Sequence, residues 1–170
     1  IPMIVEALSI AYTKGLSLPI VYNCGGYENP EIIRLLEGII DIYMPDVKYF
    51  DDAKAQKYSG ASDYLENMTA SLKEMHHQVG DLRTDSRGRA VQGLLVRHLV
   101  LPGNLSDSEK VLSFIQKEIS PNTYVNIMRQ YRPCYRAHRY KELYQTSINE
   151  EFYNAVHVAQ TLGLTRGLEM

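Results

Sequence analysis

Polar and ionisable side chains follow or end four short apolar stretches, each of which the sequence predicts to be a β-strand. In chain order these side chains are Asn23, then Asp46 and Lys48, then Arg97, and finally Tyr131 and Arg132. The carboxyl ends of parallel strands meet at one edge of a barrel or open sheet, which is where such folds bind their ligands. The sequence therefore predicts that these side chains face a single site.

Asp46 and Lys48 form the pair with the clearest chemistry. Side chains alternate along a strand, so residues two apart point to the same face, whereas Arg97 and His98 point to opposite faces. A charge buried alone in an apolar interior is costly, so the Asp-x-Lys pair requires an ionic partner or a ligand. From the residues alone, a purely structural bridge from Asp46 to Lys48 or Arg97 is an equally good interpretation.

Other reactive side chains give weaker signals. A metal site made of Asp46, His98 and His138 would lack the His-x-His strand motif that usually accompanies one. Cys24 and Cys134 are too few to hold an iron–sulfur cluster, which takes three or four ligands, and we interpret them as ordinary thiols.

Basic residues are concentrated after the last predicted strand, at Arg129, Arg132, Arg136, Arg139 and Lys141. At the edge of a sheet such a cluster favours an anion site for a small substrate or a partner's loop, with a solvated loop as the alternative. It is not typical of a nucleic-acid-binding protein, because the 170-residue chain has a net charge of −2 and a pI near 6.2.

The elements that must position these residues alternate between helices and short strands. Helical spacing covers residues 1–15, a helix opened by Asn29 and Pro30, and residues 51–79 with a break at 59–61. Strands are predicted at residues 18–23, 41–48, 94–101 and 124–128, with a small hairpin at 85–88. Ser106 with Glu109, and Ser147 with Glu150, predict capping boxes for the last two helices.

This alternation predicts an α/β fold built from parallel βα units, in one domain over residues 1–170. No apolar run approaches the length of about 18 residues that would span a bilayer, so we expect no membrane partner. With two cysteines and no signal-like segment, we expect a cytoplasmic protein.

Four stretches together resemble the radical S-adenosylmethionine (SAM) enzymes of the pyruvate formate-lyase activating enzyme type. They are residues 18–27, 41–49, 96–103 and 124–133, which follow the family's order over nearly the whole chain. The resemblance implies a partial (βα) barrel, TIM-barrel-like, of which this chain supplies the later part and lacks the first two strands. It also implies reductive cleavage of SAM to a 5′-deoxyadenosyl radical, which abstracts hydrogen and can generate a glycyl radical.

The resemblance further implies which residues bind which group. Asn23, Asp46, Lys48 and Arg97 would line the cofactor side, with Lys48 or Arg97 close to the SAM carboxylate, and Tyr131 and Arg132 would lie near the adenosyl or substrate end. A [4Fe–4S] cluster would be held by a Cys-x-x-x-Cys-x-x-Cys loop upstream, so we expect neither cluster nor SAM on this part alone. The implied partners are a glycyl radical enzyme and an electron donor such as flavodoxin or ferredoxin.

Two further functions compete with this one. A metal- or Lys-dependent barrel lyase or hydrolase would use Asp46, Lys48 and His98, with Lys48 forming a Schiff base. A non-catalytic binding module would keep the fold without the chemistry. Because the helical pattern begins at the first residue, we expect the front of the barrel to be missing, and expect the chain to self-associate through the strand edge left open.

Overall fold

A computed structural model describes residues 2–144 and 148–168 as an α/β fold around a parallel sheet. The strands are β1 (Val21–Cys24), β2 (Ile42–Val47), β3 (Arg83–Thr84), β4 (Ala90–Leu99) and β5 (Tyr124–Met128). The pairs β1–β2, β2–β4 and β4–β5 are parallel, and β3 pairs antiparallel with β4. The predicted α/β class with four parallel strands is confirmed.

The described residues contain six α-helices. They are α1 (Pro2–Thr13), α2 (Pro30–Arg34), α3 (Asp52–Ser59), α4 (Tyr64–Val79), α5 (Ser108–Phe114) and α6 (Asn149–Thr161). A π-helical turn at Ile115–Ile119 extends α5. The predicted first helix is confirmed apart from its first residue, Ile1, which lies outside the described residues.

Local sequence explains where α2 begins and where α3 begins and ends. The Asn29 side chain accepts a hydrogen bond from the Glu31 N–H at 2.8 Å, and Asp51 caps α3 by accepting from the Lys54 N–H at 2.9 Å. Gly60 closes α3 in the left-handed region, with φ of +74°, which a glycine adopts without strain. The predicted break between α3 and α4 is confirmed there.

Two details of the predicted elements are wrong. The helical spacing after Pro30 predicts that Leu35 and Leu36 are both buried. The second helix instead ends at Arg34 and continues as separate turns, so Leu36 and Ile40 reach the core while Leu35 is 71% exposed. Ser106 does not cap α5. It is fully buried, and its hydroxyl accepts a hydrogen bond from the Leu101 N–H at 3.3 Å. The second predicted capping box depends on Ser147, which lies outside the described residues.

One face of the sheet is covered by helices and the other is partly open. On the covered face, alternate strand residues are buried: Tyr43, Val47, Leu94, Val96, His98, Val125 and Ile127. The Tyr43 hydroxyl donates to Gln78 of α4 at 2.7 Å, and His98 contacts Ser108 of α5, so both helices lie on this side. In the described part of the chain, no helix has the length and apolarity needed to cross a membrane.

Candidate functional site

The open face carries a cluster of charged and amide side chains on three neighbouring strands. Asp46 of β2 and Arg97 of β4 are register partners, so their side chains project side by side. The Arg97 Nε donates to Asp46 Oδ1 at 2.6 Å, and its Nη2 donates to Asn23 Oδ1 on β1 at 2.8 Å. One guanidinium therefore links three strands near their carboxyl ends.

Lys48 adds a second cation to the same carboxylate. It follows β2 directly, and its Nζ lies 3.3 Å from Asp46 Oδ2, while its backbone N–H donates to the Tyr64 hydroxyl at 3.1 Å. The side chains of Asp46, Arg97 and Lys48 are 17%, 25% and 34% exposed. Two cations share one carboxylate in a partly desolvated position, so the cluster keeps an excess positive charge that favours an anionic ligand.

Tyr131 and Arg132 complete the predicted set from the segment after β5. Both line a cavity of about 250 Å³ whose other walls are Asp46, Arg97, Leu99, Met128 and Gln130. The Tyr131 hydroxyl donates to the Leu143 carbonyl at 2.6 Å, and burial raises the pKa of this phenol, which keeps it protonated at neutral pH. All six predicted residues thus border one site.

His98 does not belong to this site, although it is adjacent to Arg97 in sequence. It is fully buried on the covered face, where its Nδ1–H donates to the Val47 carbonyl at 2.9 Å and its Nε2 accepts from the Ser108 hydroxyl at 2.9 Å. Burial lowers the pKa of His98 to about 4, so the imidazole is neutral at physiological pH. The alternative catalytic set of Asp46, Lys48 and His98 is therefore not assembled.

Within the described residues, neither cysteine forms a hydrogen bond or an ion pair with the charged cluster. Cys24 alternates with Asn23 and lies half-buried, and burial raises the pKa of its thiol to about 12, so the thiol is protonated at neutral pH. Cys134 is an exposed free thiol. Within residues 2–144 and 148–168, no group of three or more His, Cys, Asp or Glu side chains could hold a metal ion.

Two supporting features of the site were not predicted from the sequence. The Tyr64 hydroxyl, which fixes the backbone of Lys48, comes from the start of α4, and only the tertiary fold brings it there. A second cavity of about 320 Å³ lies beside Lys48, and its lining includes the side chains of Tyr27, Tyr49 and Tyr64. The spacing of residues in the sequence indicates neither the Tyr64 contact nor this cavity.

The Gly26 backbone packs directly on the site. A side chain at Gly26 would collide with the Asp46 carbonyl oxygen, and its φ of +76° favours glycine independently. The sequence Cys24-Gly25-Gly26-Tyr27 is compatible with two uses of this turn, close approach to a ligand or turn formation alone. Its close approach is to the β2 backbone.

Fold and site together define an α/β protein with a positively charged polar site at the carboxyl ends of parallel strands. Among curated proteins, the chain is similar to an uncharacterized protein of Methanocaldococcus jannaschii, with 30% identity over 149 residues. The similarity covers 87% of this chain and 40% of that relative, so the chain spans less than half of the relative's length. No protein-family model and no solved structure matches the chain.

Proposed function

We propose that this chain is the later part of a partial (βα) barrel in a radical SAM enzyme similar to pyruvate formate-lyase activating enzyme. The observation that carries the proposal is the convergence of Asn23, Asp46, Lys48, Arg97, Tyr131 and Arg132 on one open face, at the carboxyl ends of parallel strands. The resemblance to this family includes each of these positions. The greater length of the archaeal relative is compatible with a preceding barrel segment.

Strand order supports a barrel over a doubly wound sheet. The parallel strands lie in the order β1, β2, β4, β5, so each is adjacent to the next parallel strand in the chain. A doubly wound sheet reverses its strand order at a switch point and has helices on both faces. Here α4 and α5 cover one face and the charged face is open, as in the wall of a barrel whose interior is that face.

The site offers partners for the carboxylate, amino and hydroxyl groups of SAM. Its carboxylate is matched by the excess positive charge of Arg97 and Lys48, and its amino and hydroxyl groups could pair with the Asn23 amide and the Asp46 carboxylate. When bound next to a reduced cluster, SAM supplies a radical that abstracts hydrogen. In this proposal Arg97 and Lys48 bind and orient SAM, and Tyr131 and Arg132 form the wall on the substrate side.

The residues do not fit the [4Fe–4S] cluster. The chain has two cysteines, fewer than the three or four ligands that such a cluster takes. Three thiolates from elsewhere would therefore be needed. In this proposal they come from the part of the protein that precedes this chain, and flavodoxin or ferredoxin supplies the electron.

SAM affinity of the protein that contains this chain tests the proposal. Isothermal titration of the anaerobically reconstituted protein should give SAM binding that Arg97→Gln weakens about tenfold or more, because a charge-assisted contact is removed. Arg83→Gln, on the exposed β3 hairpin, is the matched control and should bind SAM normally. A protein that takes up no iron, or an Arg97→Gln variant that binds SAM as well as the control, would refute it.

The proposed partner, a glycyl radical enzyme, is tested by a separate experiment. With reductant and SAM present, the intact protein should release 5′-deoxyadenosine, and a cognate glycyl radical enzyme should acquire an electron paramagnetic resonance signal. Release of 5′-deoxyadenosine with no glycyl radical would retain the SAM chemistry and reject the activating role.

We also propose that the 170-residue chain self-associates through β1. Within the described residues β1 pairs with β2 alone, and Val21 on it is exposed, as is Leu18 just before it. Unpaired strand edges recruit further strands, and a charge on an edge strand opposes this. Light scattering should show a dimer or larger species that Val21→Lys converts to a monomer, whereas Leu35→Lys should not. A monomeric unsubstituted chain would contradict this proposal.

A further inference from the structure

The segment that follows β5 is anchored to a distant helix. We call residues 129–144 the strap. Near its end, Glu142 Oε1 accepts from the Lys57 Nζ at 2.5 Å and from the Tyr58 hydroxyl at 2.7 Å, both on α3. The Tyr140 hydroxyl donates to the Lys57 carbonyl at 2.9 Å. The strap is therefore fixed at its far end.

The strap is also closed on itself at its near end. The Tyr131 hydroxyl donates to the Leu143 carbonyl at 2.6 Å, which joins residues twelve apart in sequence, and the Leu143 side chain is buried. The Lys57 ammonium lies 4.9 Å from the Tyr58 ring centroid and 5.8 Å from that of Tyr140, so cation–π contacts add to the ion pair with Glu142. These contacts pre-organise the loop.

The strap concentrates positive charge on an acidic protein. It contains five cationic side chains and one carboxylate, which leaves a net charge of +4, whereas the whole chain has a net charge of −2. The cationic residues are all exposed: Arg129, Arg132, Arg136, Arg139 and Lys141. In the described residues none of them forms a salt bridge, since Glu142 is engaged by Lys57.

Aromatic rings are interleaved with these cations. The Arg136 guanidinium lies 5.0 Å from the ring centroid of Tyr135, which is 82% exposed, and the Arg129 guanidinium lies 5.6 Å from that of Phe152. Stacking holds the arginine side chains without neutralising their charge. Like charges kept together on a pre-organised loop repel one another, and an anionic partner relieves that repulsion.

We propose that the strap docks a short acidic polypeptide segment of a partner protein beside the site. Arg132 lies on the strap and also lines the cavity with Asp46 and Arg97, so the docked segment would adjoin that cavity. A nucleic acid fits less well, because the remaining 154 residues carry a net charge of −6 and would repel a long polyanion. A single small anion would use only a fraction of the strap's charges.

Binding of a labelled octaglutamate peptide, followed by fluorescence anisotropy, tests the inference. The triple variant Arg136→Gln, Arg139→Gln, Lys141→Gln should bind the peptide about tenfold more weakly at low salt. The control variant Lys14→Gln, Arg87→Gln, Lys117→Gln removes the same charge from exposed positions elsewhere and should bind within about twofold. Circular dichroism should show that both variants fold.

A second variant separates a pre-organised surface from simple charge attraction. Glu142→Gln raises the strap's charge to +5, so charge alone predicts tighter peptide binding. Loss of the anchor to Lys57 and Tyr58 predicts weaker binding instead, because the free strap must be ordered when the peptide binds.

Four results would overturn the inference. They are no peptide binding by the parent chain, equal losses in the two triple variants, tighter binding by Glu142→Gln, or tighter binding of an eight-nucleotide oligouridylate than of the peptide. The assay contains neither SAM nor iron, so its outcome is independent of the proposed radical chemistry.

Discussion

The two faces of the sheet differ in how far their polar side chains are buried. On the covered face, His98 is fully buried and both ring nitrogens are hydrogen-bonded, to Val47 and to Ser108. On the open face, the adjacent Arg97 and its partner Asp46 stay partly exposed. Arg97 and His98 are consecutive in β4, yet His98 belongs to a closed structural network and Arg97 belongs to an accessible charged site.

The comparison separates what stabilises this protein from what it presents to ligands. Ser106 extends the covered network, since its hydroxyl lies 3.2 Å from that of Ser108 and accepts from the Leu101 N–H. Across the described residues, no buried side-chain nitrogen or oxygen lacks a hydrogen-bond partner. The open face instead has two cations for one carboxylate, an arrangement that a ligand can complete.

The largest difference between the faces is expected at neighbouring leucines. Leu94 is fully buried on the covered face, while Leu95 is partly exposed on the open face. Leu94→Ala should lower the free energy of unfolding by about 3 to 5 kcal/mol, because it removes buried methyl groups and leaves a cavity. Leu95→Ala should lower it by less than about 1.5 kcal/mol. Urea denaturation at low protein concentration measures both.

Equal losses in the free energy of unfolding for Leu94→Ala and Leu95→Ala would contradict the proposed difference between the two faces. They would mean that the open face is packed against another surface in solution. If a preceding segment completes the barrel, as proposed, Leu95→Ala should be more destabilising in a protein that contains that segment than in this chain.

The buried imidazole predicts how stability depends on pH. Its pKa falls from the ordinary 6.5 to about 4 in the folded state because burial disfavours the charged form. The unfolded chain therefore binds more protons between those values, so stability is complete above pH 6.5 and falls as the pH drops towards 4. The loss attributable to His98 should be on the order of 3 kcal/mol.

Unfolding measured at pH 7 and pH 4.5 tests this effect in the parent and in His98→Gln. The variant is expected to be less stable at pH 7 but to lose less stability on acidification. An identical pH dependence in both proteins would show that other groups cause the acid sensitivity.

The glycine turn after β1 connects the two faces. The Gly26 carbonyl accepts from the buried Ser71 hydroxyl of α4 at 3.3 Å, and the same residue packs against the Asp46 backbone. Gly26→Ala should destabilise the fold by about 2 kcal/mol, through the collision and the strained φ. Gly25→Ala has free space around it and should change stability by less than about 0.5 kcal/mol. If the two variants melt alike, the turn is not tightly packed on β2.

Periodicity and turn residues made much of this fold predictable. The fifth strand was predicted with its observed bounds, Tyr124–Met128, and the helix break was predicted at Gly60. The errors arose where a tertiary contact outweighed a local pattern. Ser106 matches a capping box, but the buried hydroxyl pairs with Ser108 and the Leu101 N–H instead.

The site was predictable in part for the same reason. Alternation along β4 predicts that Arg97 and His98 point to opposite faces, and the structure confirms this. The register that places Asp46 beside Arg97 comes from the pairing of β2 with β4. Contacts between residues far apart in the chain could not be predicted from the sequence. The Glu142 anchor on Lys57 spans 85 residues, and no local spacing indicates it.

The smallest effect is expected for the stability of the charged cluster itself. A double-mutant cycle between Asp46→Asn and Lys48→Gln should give a coupling free energy below about 1 kcal/mol, because the 3.3 Å pair is reached by solvent and Lys48 is 34% exposed. The coupling should shrink further when the salt concentration rises. A coupling of about 3 kcal/mol or more would mean that the bridge is a buried structural pair. A weak coupling would leave Lys48 free to turn towards an anionic ligand, as the proposed function expects.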